Sequence, residues 1–358
     1  MSGRTPTQDF RVNNFDLLRI LAALQVVLIH SIAHLDIRHP RGWSIVDAFP
    51  GVPIFFVISG FLISASYERS AELRSYARNR LLRILPGLWT VIVVTTVVLI
   101  AFGYDVLGAR GAVWFVMQLC GLIFTPGFLK SFGFGSYNGS LWTIPVELQF
   151  YVVLPAFYLA TRRWPQRRNA LLVGGFAVFT TVALVFVTKS PLLVESAAES
   201  NALKLFRYTF APHIYLFILG VLLQRWQMHQ HRWIVGKGAY WVAGYLVVHF
   251  ALPEHNGSAY VLGTVVLGVA ALSLAYTLPG IAHRVLHGND ISYGVYIFHG
   301  LVLNILVEKG HTGSLALLPL VVAVTVVLAT LSWRLVEQPC LRRKTRSLKS
   351  RTVRPATA

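Results

Sequence analysis

"FDLLRILAALQVVLIHS", Phe15 to Ser31, is apolar over the length of a membrane crossing, yet it carries Asp16, Arg19 and His30. About 20 such residues at 1.5 Å each cover the roughly 30 Å of a bilayer's hydrocarbon, where a helix satisfies its backbone within its own segment. An ionisable side chain at that depth costs about 2.5 to 3.5 kcal/mol on insertion scales, so each one asks for a partner or a task.

Nine further runs of similar character follow: Val46 to Ser66, Ile84 to Gly103, Ser140 to Ala160, Ala170 to Thr188, Phe206 to Arg225, Ile234 to Leu252, Ala259 to Leu278, Ile291 to Val307 and Ser314 to Leu335. The expected fold class is therefore all-α, a polytopic membrane helix bundle of about ten spans. Composition agrees: the chain is 55% hydrophobic and 13% charged, with mean hydropathy +0.60, against roughly 25% charged in soluble domains. The run Ala112 to Phe124 is short for a span, and counting it would invert every later loop. It reads as a re-entrant or interfacial segment.

A net charge of +18 and a pI near 10.4 would suggest nucleic acid or an anionic surface in a soluble protein. Here the charge is distributed by topology. Basic residues gather at Arg69, Arg74, Arg78, Arg80 and Arg83, at "RRWPQRR" from Arg162 to Arg168, at Arg225, Arg232 and Lys237, and in "RRKTRSLKSRTVR" after Leu341. The intervening connections "GYDVLGARG", "LPEHNGS" and "VEKGHTG" are nearly neutral. The positive-inside rule puts the basic set and both termini in the cytoplasm, as an even number of spans requires. No nucleic-acid module is visible. Residues 1–358 read as one membrane domain, with its core over 15–337 and polar or basic tails at 1–14 and 338–358. No cleavable signal peptide, internal repeat or soluble domain is evident. Two cysteines and no histidine cluster of zinc spacing leave no metal site to expect.

Four stretches hold the polar residues. Arg19 and His30 lie eleven residues apart, almost three turns, so they share a helix face about 16 Å apart along the axis. Counting rise from the helix start puts His30 about 22 Å in, toward the outer side. Snorkelling to either interface is the plain alternative. In "GSLWTIPVELQFYVVLP", Ser140 reads as an N-cap and Glu147 then lies about 10 Å into the membrane, where a carboxylate within reach of an imidazole would orient it as a general base. Packing against a neighbouring helix is the alternative, and Pro145 suggests an irregular helix lining a cavity. In "SYARNRLLRILP", Arg80 and Arg83 stand one turn apart at the cytoplasmic mouth of a span and suit phosphate, though topology alone also explains them. In "NDISYGVYIFHG", Tyr293, Tyr296 and His299 step by three along one face, with His299 about 12 Å from the cytoplasmic end. A packing stripe would look the same. His213 and His249 have no such company and read as structural or interfacial.

Taken together, "NFDLLRILAALQVVLIHS", "GVPIFFVISGFLIS", "RNRLLRILP", "SLWTIPVELQFY" and "ISYGVYIFH", in this order, resemble the acyltransferase-3 family of bacterial integral-membrane O-acyltransferases. The resemblance covers nearly the whole chain. It implies a donor, acetyl-CoA or another acyl-CoA, bound from the cytoplasm. It also implies transfer of the acyl group to a hydroxyl of a glycan or lipid-linked sugar, commonly at the outer face of the bacterial inner membrane. By position, His30 matches the family's first-helix histidine, Arg19 its first-helix arginine, Arg80 with Arg83 its RxxR element, and Glu147 the carboxylate after the tryptophan. His30 and Glu147 are thus expected to be catalytic, and Arg19, Arg80 and Arg83 to hold the donor. Asp16, Trp142, Tyr293, Tyr296 and His299 are expected to contact substrate or support the site. Many members have "VEE" where this chain has Leu148, and many carry a fused extracytoplasmic hydrolase-like domain. A secondary transporter is the competing class for ten spans, and it would typically show inverted repeats.

Overall fold

The computed structural model describes residues 13–69, 72–189, 201–252 and 257–342. Among these residues regular structure is helical throughout. The helices are α1 Phe15–His34, α2 Ser44–Asp47, α3 Gly51–Arg69, α4 Leu73–Ala101, α5 Ala109–Leu119, α6 Thr143–Ala160 and α7 Arg168–Lys189. They continue with α8 Asn201–Arg207, α9 Ile214–Arg225, α10 Gly238–Ala251, α11 Gly257–Ala275, α12 Ile281–Leu286, α13 Ser292–Glu308 and α14 Leu317–Ser332.

Seven of these segments are long and apolar enough to cross a membrane, those holding α1, α3, α4, α6, α7, α11 and α14. Three shorter apolar helices are α9, α10 and α13. The chain is a polytopic helical bundle, and each of the ten expected runs falls on one of these ten helices. Two boundaries differ from expectation. Helix α4 begins at Leu73, so Arg74, Arg78, Arg80 and Arg83 lie on the helix and not in a loop. The run from Phe206 is divided between α8 and α9. The short run at Ala112 to Phe124 contributes to the 11-residue α5, about 16 Å long and too short to span. The polar tails expected at 1–14 and 338–358 lie mostly outside the described residues.

The chain divides into two compact units. The first comprises residues 1–26, 42–71 and 145–288; the second comprises 27–41, 72–144 and 289–358. In the first, α3 and α9 meet backbone to backbone. A Cβ at Gly60 would lie 2.0 Å from the Phe217 carbonyl oxygen, and one at Gly220 would lie 2.1 Å from that of Val57. Only glycine permits that approach, and without a hydrophobic drive between helices in lipid such close contact supplies the attraction. Every residue of α9 from Ile214 to Leu223 is buried, which suits a helix apolar on all sides and walled by protein.

In the second unit, α13 is buried from Ser292 to Asn304. Gly294 brings it onto α14, where a Cβ would lie 2.9 Å from Ala329. Helix α14 runs on through a π-helical turn, Trp333–Glu337. Such a turn is frequent at functional sites, and this one buries Glu337.

Candidate active site

The second unit brings three elements together around two histidines. His30 comes from the last turn but one of α1, His299 from the middle of α13, and Ser140 from a 3-10 turn, Gly139–Trp142, that leads into α6. His30 Nδ1 lies 3.0 Å from His299 Nε2. Ser140 Oγ lies 2.8 Å from His299 Nε2 and 3.3 Å from His30 Nδ1. His299 and Ser140 are fully buried and His30 is half-buried. One turn past His30, His34 stacks on Phe134 with centroids 3.8 Å apart and planes 10° from parallel.

The distances constrain the protons. Two ring nitrogens facing each other at 3.0 Å hold one hydrogen between them, since two lone pairs or two N–H groups would repel. His299 Nδ1 makes no hydrogen bond of good geometry, but it lies against the Val295 and Tyr296 carbonyls of its own helix. A carbonyl only accepts, so Nδ1 carries the hydrogen and Nε2 the lone pair. By this assignment His30 Nδ1 is the donor toward His299 and Ser140, and His30 Nε2 keeps its lone pair.

The turn that carries Ser140 is held by one face of α13. Gly300, Asn304 and Glu308 step by four along it. A Cβ at Gly300 would lie 2.3 Å from Asn138 Oδ1, so glycine is what lets the turn sit beside His299. Asn138 Nδ2 donates to the Ile297 carbonyl at 2.8 Å. Asn304 Nδ2 donates to the carbonyls of Ser136 and Tyr137, and its Oδ1 accepts from the Phe134 N–H. Glu308 accepts from the Gly133 N–H at 2.8 Å and from Tyr104 Oη at 2.9 Å. Earlier on the same helix, Thr143 Oγ1 donates to Tyr296 Oη at 3.0 Å, and Tyr293 Oη donates to the Ile84 carbonyl at 3.0 Å.

Several expectations are thereby revised. Ser140 is not an N-cap: α6 begins at Thr143, and the hydroxyl faces the two histidines. Pro145 sits in the first turn of α6, where its missing N–H would have no partner within the helix, so it breaks nothing; the interior proline is Pro155. Glu147 accepts from Ser59 Oγ at 3.1 Å and Tyr151 Oη at 2.7 Å within the first unit. Arg83 forms an ion pair with Asp290, whose other oxygen accepts from the Ser292 N–H at 3.2 Å at the start of α13. Glu337 is buried with Oε1 on Ser332 Oγ at 2.9 Å, and it lies in the field of Arg83 and Asp290. Arg80, a turn before Arg83, is half-buried; on α1, Asp16 is exposed and Arg19 half-buried; Trp142 is half-buried at the end of the 3-10 turn. His213, expected to be structural or interfacial, is buried and bonds the Arg207 carbonyl at 2.8 Å. His34 and Ser140 were missed as site residues. The i+4 spacing from His30 carried a signal for the first, and nothing local carried one for the second.

The acyltransferase-3 family model, described as an acyltransferase domain, matches residues 12–334. The chain is 32% identical over 361 residues to nodulation protein 10 of Rhizobium leguminosarum bv. viciae, covering 93% of this chain and 94% of that protein. It is 26% identical over 351 residues to the O-acetyl transferase of Shigella phage Sf6, covering 94% and 98%. It is 30% identical over 172 residues to the peptidoglycan O-acetyltransferase OatA of Listeria monocytogenes, covering 45% of this chain and 26% of that protein. No solved structure matches the chain.

Proposed function

Because this chain belongs to the acyltransferase-3 family, we propose that it moves an acyl group, acetyl in the simplest case, from acyl-CoA to a hydroxyl of a cell-envelope carbohydrate. The donor would enter from the cytoplasm and the acceptor from the outer face of the bacterial inner membrane. That the enzyme is an acyltransferase follows from its family. The donor, the acceptor and the sidedness are our reading. An acceptor glycan is supported by relatives whose names are those of O-acetyltransferases, one of them acting on peptidoglycan. The orientation is supported by the alternation of basic and neutral connections.

One observation carries the chemistry: His30 Nδ1 lies 3.0 Å from His299 Nε2 and 3.3 Å from Ser140 Oγ, and with the proton assigned to Nδ1 its Nε2 is left as a base of fixed direction. An acceptor hydroxyl is a poor nucleophile until its proton is taken as it attacks, and an imidazole does this near neutral pH. The orienting task that Glu147 was expected to perform is then performed by His299 and Ser140. Glu147, through Ser59 and Tyr151, ties α3 to α6. Arg19, Arg80 and Arg83 remain the proposed contacts for the donor's phosphates.

His30→Ala at matched protein levels should abolish transfer of label from radiolabelled acetyl-CoA into the envelope glycan fraction of membranes. Undiminished labelling would sink the role of this histidine. If wild-type membranes transfer nothing and acetyl-CoA gives the purified protein no protection against unfolding, the transporter reading returns.

A further inference from the structure

We propose that Ser140 carries the acyl group covalently, as an ester formed from the donor and consumed by the acceptor. This rests on the acyltransferase reading above and adds a step to it.

A serine hydroxyl attacks a thioester only with a base at hydrogen-bond distance. Ser140 Oγ has two imidazoles in reach, His299 Nε2 at 2.8 Å and His30 Nδ1 at 3.3 Å. His299 Nε2 has one lone pair, and it accepts the Ser140 hydroxyl proton when the His30 Nδ1–H points to Ser140 Oγ; that arrangement is the nucleophile–base half of a hydrolase triad. The hydroxyl stands just before the 18-residue α6, whose N-terminal end favours the negative charge that develops on an attacked carbonyl. With Ser140 1% exposed, an ester there is shielded from water.

The steps balance. In the first, Ser140 Oγ bonds the thioester carbonyl carbon, the carbon–sulfur bond breaks, and the serine proton passes through His299 Nε2 to the departing thiolate. In the second, the acceptor oxygen bonds the same carbon and the Ser140 ester bond breaks. The acceptor's proton enters His30 at Nε2, the hydrogen on Nδ1 returns to Ser140 Oγ, and proton exchange with solvent then moves the His30 proton from Nε2 back to Nδ1, which restores the starting tautomer. Two histidines flanking one hydroxyl thus give each half-reaction its own proton carrier. The donor and the acceptor never need to occupy the site together.

The test uses the purified full-length protein with radiolabelled acetyl-CoA and no acceptor, quenched by denaturation and mapped by peptide mass spectrometry. The expected result is one acetyl group on Ser140, removed by hydroxylamine and chased off by the host's envelope glycan fraction, with parallel double-reciprocal lines in the steady state. Ser140→Ala should lose the label and roughly a hundredfold or more of turnover. Ser140→Cys should be labelled as a thioester, which keeps the proposal open to refutation if the alanine variant fails to fold. A wild type that transfers acetyl with no label on Ser140 and intersecting lines overturns the inference, even where Ser140→Ala is inactive, because the hydroxyl then only orients the histidines. A wild type that neither transfers nor is labelled overturns the proposed function as well.

Discussion

Arg80 and Arg83 stand one turn apart on α4. Arg83 is paired with Asp290, which also holds the first turn of α13. Removing it costs a charge-assisted bond, about 1.5 to 3 kcal/mol, before any effect on donor binding. Arg83→Ala should therefore lower the unfolding temperature in detergent and raise the KM for acyl-CoA together. Arg80→Ala should raise that KM as well; a KM for acyl-CoA unchanged in both variants would contradict a phosphate role for the pair. The sequence made the type and spacing of these residues legible, because polar groups in apolar runs are conspicuous, and Tyr293, Tyr296 and His299 do lie on one face of α13. What it hid is which polar residues meet. Depths counted by rise, about 22 Å for His30 and about 12 Å for His299, put the two apart, yet their rings are hydrogen-bonded. The counting assumed that every helix starts at one level and runs straight across. Ser140 was hidden differently: a serine before a helix reads as a cap, and only the fold shows its hydroxyl turned to partners 110 and 159 residues away.

At the scale of elements, α13 is the beam on which the site is built. The Gly300, Asn304 and Glu308 face fixes the turn that carries Ser140, without itself touching a histidine proton. Asn304→Leu would leave the Phe134 N–H and the Ser136 and Tyr137 carbonyls without their partner. At about 1 to 3 kcal/mol for each buried group left unsatisfied, the turn should loosen. Transfer should fall sharply, and hydrogen exchange should rise over residues 133–140 while α4 stays protected. Uniform exchange across the second unit would mean that Asn304 supports the whole unit and not the turn. Gly300→Ala acts at the same contact by collision, since its Cβ would need the space of Asn138 Oδ1. Overpacking of that kind costs about 1 to 3 kcal/mol. The helices themselves were legible because apolar length is a strong signal. Where boundaries slipped, as at α4, basic residues on a helical extension looked like a loop.

For the molecule as a whole, the number of crossings decides the sidedness of everything else. Ten crossings would leave both ends on one side. That count rests on α9, α10 and α13, which are shorter than the usual span, and on α5 not crossing. At 12 residues α9 is about 18 Å long against roughly 30 Å of hydrocarbon. A crossing there relies on protein around it, and its fully buried residues supply that. Two native cysteines test the count without altering the chain. Cys120, exposed at the end of α5, belongs on the outer side if α5 lies at the interface, whereas Cys340, past the π-helical turn of α14, belongs on the cytoplasmic side. A membrane-impermeant maleimide should then label Cys120 in spheroplasts and Cys340 only after lysis, with Cys120→Ala and Cys340→Ala identifying each signal. Labelling of both from outside would make the number of crossings between them even, and a further helix would have to be removed from the count or added to it. The neutral connections would then no longer mark the outer face.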